Sequence, residues 1–281
     1  MSAVCVLDGP LGTALADAGV PTPPPLWSAA ALRSHPGVVA ALHAAQAAAG
    51  AQVLTAATFR TQPHRAPDWA ALAGQAVALA RGAAAAHPGV RVAGSIAPVE
   101  DCYRPDLSPA DPRPVHRAVA QALAAAGCDL LLCEAFPHVG EGLVALEEAV
   151  ATGRESWVSF TAGPRGDLLT PAQLAAGARA ARERGAAAVL VNCVPAADTL
   201  RFVEALAEAG LPFGAYANAG APEDGLGWGD APEAAGRYLA HARAWAAAGA
   251  TVIGACCGTP LAVTAALAGA FSGGHGGEGR R

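Results

Sequence analysis

The chain has 281 residues, of which 53% are hydrophobic and 15% are charged, and its formal net charge is -5. All 18 basic residues are arginines, which excludes a Schiff-base lysine, a P-loop lysine and a lysine general base. The arginines are scattered and no apolar run reaches the roughly 18 residues that span a bilayer, so we expect neither a nucleic-acid partner nor a membrane segment.

Short apolar runs alternate eight times with alanine-rich helical stretches along the chain. The predicted strands are 4–8, 52–59, 91–98, 129–136, 156–162, 187–194, 212–218 and 250–257. The predicted helices are 36–49, 69–86, 114–126, 140–151, 171–184, 197–209, 232–248 and 261–271. Units of about 36 residues fit right-handed βα repeats, and eight of them predict an α/β fold, a single-domain (β/α)8 TIM barrel. A doubly wound open sheet is the alternative, but no G-x-G-x-x-G lies at the first βα turn.

Three connections that follow predicted strands are long, namely 9–35, 99–113 and 219–231. In a barrel such connections lie on the catalytic face. We predict one domain over residues 1–271 and a disordered, glycine-rich tail over 272–281.

Seven cysteines is an odd number for a set of disulfides. The N-terminus does not contain a positively charged segment followed by an apolar one, which predicts a cytoplasmic protein. In that compartment metal binding, catalysis or plain burial is favoured over disulfides for the cysteines.

Cysteines end two of the predicted strands. Cys193 ends the sixth strand, and the pair Cys256 and Cys257 ends the eighth. Three thiolates above a barrel mouth leave one position of a tetrahedral zinc open, as in a catalytic site, and such a site suits a thiol substrate. Gly254 and Gly258 flank the pair and favour this interpretation. The alternative, a buried cysteine beside an incidental or disulfide-bonded pair, stays open.

Polar residues also end or follow most of the other strands, and together they surround one mouth of the predicted barrel. They are Asp8, Thr58, Ser95, Glu134, Ser159 and Asn218. Glu134 ends a run of leucines, so its carboxylate needs a positive partner in a buried position. A substrate ammonium and an arginine such as Arg60 are equal candidates.

An ordered set of motifs resembles the zinc-dependent homocysteine S-methyltransferase family over nearly the whole chain. The motifs are L-D-G-P-L-G-T at 7–13, L-W-S at 26–28, A-T-F at 57–59, G-S-I-A-P at 94–98, E-A-F-P at 134–137, S-F at 159–160, N-C at 192–193, Y-A-N-A-G at 216–220 and G-A-C-C-G-T at 254–259. Alanines replace residues of the family pattern at positions 56, 57, 135, 217 and 255.

The resemblance implies a barrel in which Cys193, Cys256 and Cys257 bind Zn²⁺ and act in catalysis. The sulfur of homocysteine becomes the fourth ligand and attacks a methyl group on a cationic donor, which forms methionine. The resemblance also implies substrate-binding roles for Asp8, Gly9, Thr58, Ser95, Glu134 and Asn218, with Glu134 holding the ammonium group.

The small methyl donor is expected to be S-methylmethionine or S-adenosylmethionine, since the motifs are closer to that branch than to the betaine branch. From the length of the chain we expect no additional folate- or cobalamin-binding domain. Two alternatives come from other classes, a metal-dependent hydrolase and a zinc-storage or scaffold protein. A hydrolase would need histidine or carboxylate ligands, yet no H-x-H or H-E-x-x-H occurs. Association into a homo-oligomer and methylation of a related thiol stay open.

Overall fold

The computed structural model describes residues 3–228 and 233–271. Eight parallel strands form one sheet in the order β1-β8-β7-β6-β5-β4-β3-β2. The strands are β1 (Cys5–Val6), β2 (Val53–Thr55), β3 (Arg91–Ile96), β4 (Leu130–Phe136), β5 (Glu155–Phe160), β6 (Ala188–Pro195), β7 (Phe213–Asn218) and β8 (Val252–Ala255). The helices are α1 (Leu11–Asp17), α2 (Ala31–Ser34), α3 (Pro36–Ala48), α4 (Trp69–Ala84), α5 (Arg113–Ala125), α6 (Val139–Val150), α7 (Pro171–Glu183), α8 (Ala196–Leu206), α9 (Ala234–Ala247) and α10 (Leu261–Phe271).

The sheet closes on itself between its first two strands. Gln52 N–H donates to the carbonyl of Val6 at 2.7 Å, and Asp8 N–H donates to the carbonyl of Val53 at 3.1 Å. Leu7 and Val53 form an isolated parallel bridge between these bonds. The predicted (β/α)8 TIM barrel is therefore confirmed.

Two apolar layers make the core. Inside the barrel, side chains such as Leu130, Leu132, Leu190 and Trp157 pack against one another. Outside it, the helices pack against the other face of the strands, so every residue of β4 is buried. Within the described ranges, every helix falls short of the length and apolar character that a bilayer crossing requires.

The predicted elements differ from the observed ones mainly at the first two strands. The predicted strand 52–59 is wrong in its second half, because β2 ends at Thr55 and the chain then turns into a loop. The connection 9–35 contains the helices α1 and α2, which were not predicted because the prolines of this segment are typical of a loop. The predicted disorder of 272–281 lies outside the described residues.

One buried tyrosine ties two strands together near the barrel mouth. The Tyr238 hydroxyl on α9 lies 3.0 Å from both the backbone N and the O of Ala217 on β7, and 2.8 Å from the carbonyl oxygen of Gly254 on β8. Tyr238 is fully buried, and its ring packs edge-on against Trp245. The hydroxyl thus satisfies backbone groups of two strands that reach the mouth.

Replacing this hydroxyl tests its share in stability. We expect Tyr238→Phe to lower the free energy of unfolding by about 1–3 kcal/mol, because the buried N–H of Ala217 loses its partner. Urea denaturation measures the change. The matched control is Ser34→Ala, whose lost hydroxyl bond to Ala30 is exposed, and which should change stability by less than about 0.5 kcal/mol. Equal effects of both substitutions would contradict the assigned role.

Candidate metal centre and substrate cavity

Three thiols meet at the carboxyl ends of two barrel strands. Cys193 lies on β6, and Cys256 and Cys257 directly follow β8. Their three Sγ atoms lie within 4.8 Å of one another, and those of Cys256 and Cys257 are 3.9 Å apart. The barrel thus brings together cysteines that are far apart in the sequence, at a spacing that can hold one metal ion.

The backbone around Cys193 is unusual. β6 carries an irregularity between Asn192 and Pro195, and Cys193 has a φ of 52°, in the left-handed region that side chains rarely adopt. Asn218 Nδ2 donates to the Cys193 carbonyl at 3.1 Å, and Asn218 Oδ1 accepts from the N–H of Gly220 at 2.8 Å. Asn218 therefore supports the strained turn that presents the thiol.

The turn after β8 presents the other two thiols. Cys256 N–H donates to the Ala217 carbonyl, and Thr259 Oγ1 donates to the Cys256 carbonyl, each at 2.8 Å. Gly258 has a φ of 82°, and its carbonyl accepts from the N–H of Trp228 at 2.8 Å. The indole of Trp228 packs directly on Gly258, where a Cβ atom would lie 2.4 Å from Cε2.

The three thiols differ in acidity. Hydrogen bonds from Cys193 and Cys256 lower the pKa of Cys257, while contacts with Cys256 and Cys257, together with burial, raise the pKa of Cys193. These contacts favour deprotonation of Cys257 over that of Cys193. A cation between the sulfurs would favour deprotonation of all three, and three soft sulfur donors suit a zinc-type ion.

A cavity of about 880 Å³, its open mouth included, extends from the thiols. The other lining side chains with polar or aromatic groups are those of Asp8, Trp27, Ser28, Thr55, Phe59, Cys102, Tyr103, Glu134, Asn192 and Tyr216. Among the described residues, the lining includes two carboxylic acids and no arginine.

Glu134 lies in this cavity without a charged partner. Ser95 Oγ donates to its Oε1, and the Tyr216 hydroxyl donates to its Oε2 at 3.0 Å. Burial raises the pKa of Glu134 above its usual range, although both hydroxyls stabilise the carboxylate. The carboxylate has two neutral donors and faces the cavity.

Arg60 does not neutralise Glu134. Its guanidinium donates to the carbonyls of Pro98 and Glu100, at 3.4 and 2.7 Å, and stacks 5.1 Å from the ring centroid of Trp27. Arg60 forms no ion pair with Glu134, so the interpretation of Arg60 as its partner is wrong.

Asp8 is the second carboxyl group of the cavity. Thr55 donates to it twice, from its N–H at 2.7 Å and from its hydroxyl at 2.8 Å. Burial nevertheless raises the pKa of Asp8 to about 7. Gly9 follows it in the lining, and a Cβ atom there would lie 2.8 Å from Gln46 Nε2.

Three of the predicted substrate-binding residues lie behind the cavity wall. The Thr58 hydroxyl lies 2.9 Å from both the backbone N and the O of Ser95, and Ser95 Oγ contacts Glu134. Asn218 contacts the backbone of Cys193. None of the three lines the cavity. Ser95 and Asn218 instead contact Glu134 and Cys193, which do line it, and Thr58 contacts Ser95.

The structure also brings into the cavity residues to which the sequence assigned no role. Tyr103 lies in the predicted long loop 99–113, and Asn192 and Tyr216 lie within the quoted motifs. The available signals were the position of Asn192 beside Cys193, that of Tyr216 near the end of β7, and that of Tyr103 in a long loop. Their contacts could not be read from the sequence, because they depend on where each strand bends.

Comparison with known protein sequences points to one family. The family model described as Homocysteine S-methyltransferase matches residues 5–271. The chain is 31% identical to the homocysteine S-methyltransferase of Escherichia coli K12, over 94% of each protein. It is 33% identical to the mouse S-methylmethionine–homocysteine S-methyltransferase BHMT2, over 60% of this chain and 46% of that protein.

Solved structures agree. The metallated form of the E. coli homocysteine methyltransferase MmuM superposes with a TM-score of 0.80 at 28% identity and 96% coverage of both chains. The carboxyl transferase domain of Rhizobium etli pyruvate carboxylase, at 15% identity and a TM-score of 0.56, shares the fold alone. With its family match, its barrel and its three clustered thiols, the chain belongs to the homocysteine S-methyltransferase family.

Proposed function

We propose that the chain is a zinc-dependent methyltransferase that transfers a methyl group from a sulfonium donor to homocysteine and so forms methionine. The observation that carries the proposal is the cluster of three thiols in the same cavity as a buried, uncompensated Glu134 carboxylate. An amino acid that carries both an ammonium group and a thiol complements these two features. The proposed domain comprises residues 1–271, and the proposed compartment is the cytoplasm.

Cys193, Cys256 and Cys257 would hold the zinc ion. Catalytic zinc sites use three protein ligands and leave one position for the substrate, and these cysteines supply three. When bound, the metal would keep the sulfur of the acceptor deprotonated near neutral pH. The metallated form of the E. coli relative supports a metal in this fold.

The residues of the chain orient the acceptor. Ser95 and Tyr216 hold the Glu134 carboxylate in place, and we assign it to the ammonium group of homocysteine. Asp8, held by Thr55, and the adjacent Gly9 complete this end of the cavity. Fixing the ammonium end leaves the thiol end directed at the cysteines, and such orientation is a large part of catalysis in a bimolecular transfer.

The reaction is a single displacement at the methyl carbon. A bond forms between that carbon and the acceptor sulfur while the bond to the donor sulfur breaks. The bonding electron pair stays with the donor sulfur, which leaves as a neutral thioether. The positive charge of the donor is thereby cancelled by the thiolate that attacks it, and no covalent enzyme intermediate is needed.

The cavity favours a cationic donor. Asp8 and Glu134 are its carboxylic acids, aromatic rings line it, and no arginine among the described residues does. The mouse relative is named for S-methylmethionine, which is a sulfonium compound. We therefore place S-methylmethionine first and S-adenosylmethionine second, with betaine as the alternative.

Hydrolysis is the weaker alternative. Within the described residues, the group that could hold a metal consists of three cysteines, without histidine or carboxylate ligands. A closed storage site would need a fourth protein ligand in the group. Both alternatives lack support from the arrangement of the thiols.

The first prediction concerns the metal. Chelation, or Cys257→Ala, should remove stoichiometric zinc and lower methyl transfer by on the order of 10³-fold, because a metal supplies several kcal/mol of catalysis. Metal analysis and methionine formation measure the two effects. Cys5→Ala is the matched control, since Cys5 lies on β1 away from the cluster, and it should keep zinc and activity. Full activity after complete zinc removal would refute the mechanism.

The second prediction concerns the ammonium group. Glu134→Gln should raise the KM for homocysteine by about 10- to 100-fold, the equivalent of a lost charge-assisted hydrogen bond, and leave zinc content unchanged. Steady-state kinetics with 4-mercaptobutanoate, which lacks the amino group, provides the control acceptor and should show little change. Glu204→Gln, at an exposed position on α8, is the control variant. An equal loss with both acceptors would contradict the assignment.

The third prediction concerns the donor. With homocysteine as acceptor, S-methylmethionine should support methionine formation best, S-adenosylmethionine should support it less, and betaine should not support it. Methionine formation in a panel of the three donors, with the zinc-loaded wild-type protein, decides between them. Turnover with betaine alone would assign the chain to the betaine branch.

A further inference from the structure

Asn192 is a buried side chain in the cavity wall that the mechanism above does not use. It is 1% exposed and lines the cavity beside Cys193. Its Oδ1 accepts from Ser159 Oγ at 2.7 Å and from the N–H of Ala135 at 3.1 Å. A backbone N–H can only donate, so this contact fixes which end of the amide is the oxygen.

Asn192 thereby links the two strands that carry the ends of the acceptor site. Ala135 directly follows Glu134 on β4, and Cys193 directly follows Asn192 on β6. The side chain of Asn192 accepts a hydrogen bond from Ala135 on β4, and the backbone of Asn192 belongs to β6, which carries Cys193. Ser159, on the intervening strand β5, anchors the amide from the side.

Both linked segments have a strained backbone. Ala135 has a φ of 61° and Cys193 a φ of 52°, and the pairing of their strands is irregular at these points. Left-handed conformations of residues other than glycine persist only where neighbouring groups hold them. The hydrogen bond from Ala135 to Asn192 is one such restraint, and it joins the two irregularities to each other.

We propose that Asn192 is a positioning residue that sets the spacing between the Glu134 carboxylate and the Cys193 thiol. That spacing determines how many methylene groups separate the amine and the sulfur of the accepted substrate. Asn192 thus selects homocysteine over cysteine, which is one methylene shorter. The inference rests on the proposed function, since it assigns the two ends of the site to the ammonium group and the sulfur.

The test compares two acceptors in two variants. The value of kcat/KM is measured for homocysteine and for cysteine with the same sulfonium donor, in zinc-loaded wild-type, Asn192→Ala and Ser159→Ala proteins. We expect Asn192→Ala to lower kcat/KM for homocysteine by about 100-fold, as a small misplacement of reacting groups does. The preference for homocysteine over cysteine should fall at least about 10-fold, within the range that one methylene contributes. Ser159→Ala should change both values in the same direction and by less, and zinc content should stay at one per chain.

Thr199→Ala is the matched control. Its hydroxyl donates to the carbonyl of Pro195 at 2.9 Å, so this variant also loses a partly buried hydrogen bond at the end of β6, and Thr199 does not line the cavity. It should keep the acceptor preference of the wild type. If Asn192→Ala does not fold, Ser159→Ala decides by itself.

Two outcomes overturn the inference in different ways. An unchanged homocysteine-to-cysteine ratio in the folded variants, with turnover lowered equally for both acceptors, shows a purely structural Asn192 and leaves the proposed function intact. Absence of homocysteine methylation by the wild-type protein with every donor refutes the proposed function, and the inference falls with it.

Discussion

Two carboxyl groups and three clustered thiols lie in one largely apolar cavity, and the site depends on how their negative charge is compensated. Burial raises the pKa of Asp8 and Glu134, and hydrogen bonds from Cys193 and Cys256 lower the pKa of Cys257. Deprotonating the whole set without cations would be costly in so apolar a place. The cavity therefore favours positively charged occupants, and a metal ion, a substrate ammonium group and a sulfonium group all meet that requirement.

The surroundings preserve this unbalanced charge. The carboxylates are held by neutral donors, Thr55 for Asp8 and Ser95 with Tyr216 for Glu134. The nearby arginine Arg60 donates instead to backbone carbonyls of the loop after β3. An arginine paired with Glu134 would have compensated its charge, but it would also have occupied the position proposed for the substrate ammonium group. Stability and function conflict at this point, as they commonly do in active sites.

Much of the architecture could be predicted from the sequence, because a repeated strand-and-helix pattern has few solutions. The eightfold alternation and the cysteines at two strand ends predicted the barrel and the meeting of Cys193 with the pair after β8. The points where strands bend could not be predicted. β2 ends at Thr55, so Thr58 lies in the following loop and does not line the cavity. At Cys193 the backbone is left-handed, and the carbonyl of Cys193 accepts a hydrogen bond from Asn218. Apolar runs report burial, but they do not report these departures from regular strand geometry.

The contact between Trp228 and Gly258 links two loops of separate origin. Trp228 belongs to the connection after β7, has a φ of 57° and donates its indole N–H to the carbonyl of Gly220. Since a Cβ atom on residue 258 would overlap the indole, Gly258 cannot gain a side chain while Trp228 keeps its position, unless the turn that carries the cysteine pair moves. A side chain at position 258 therefore requires a change at Trp228 as well. The connection after β7, which contributes no thiol to the cluster, is in this way structurally coupled to the turn that carries Cys256 and Cys257.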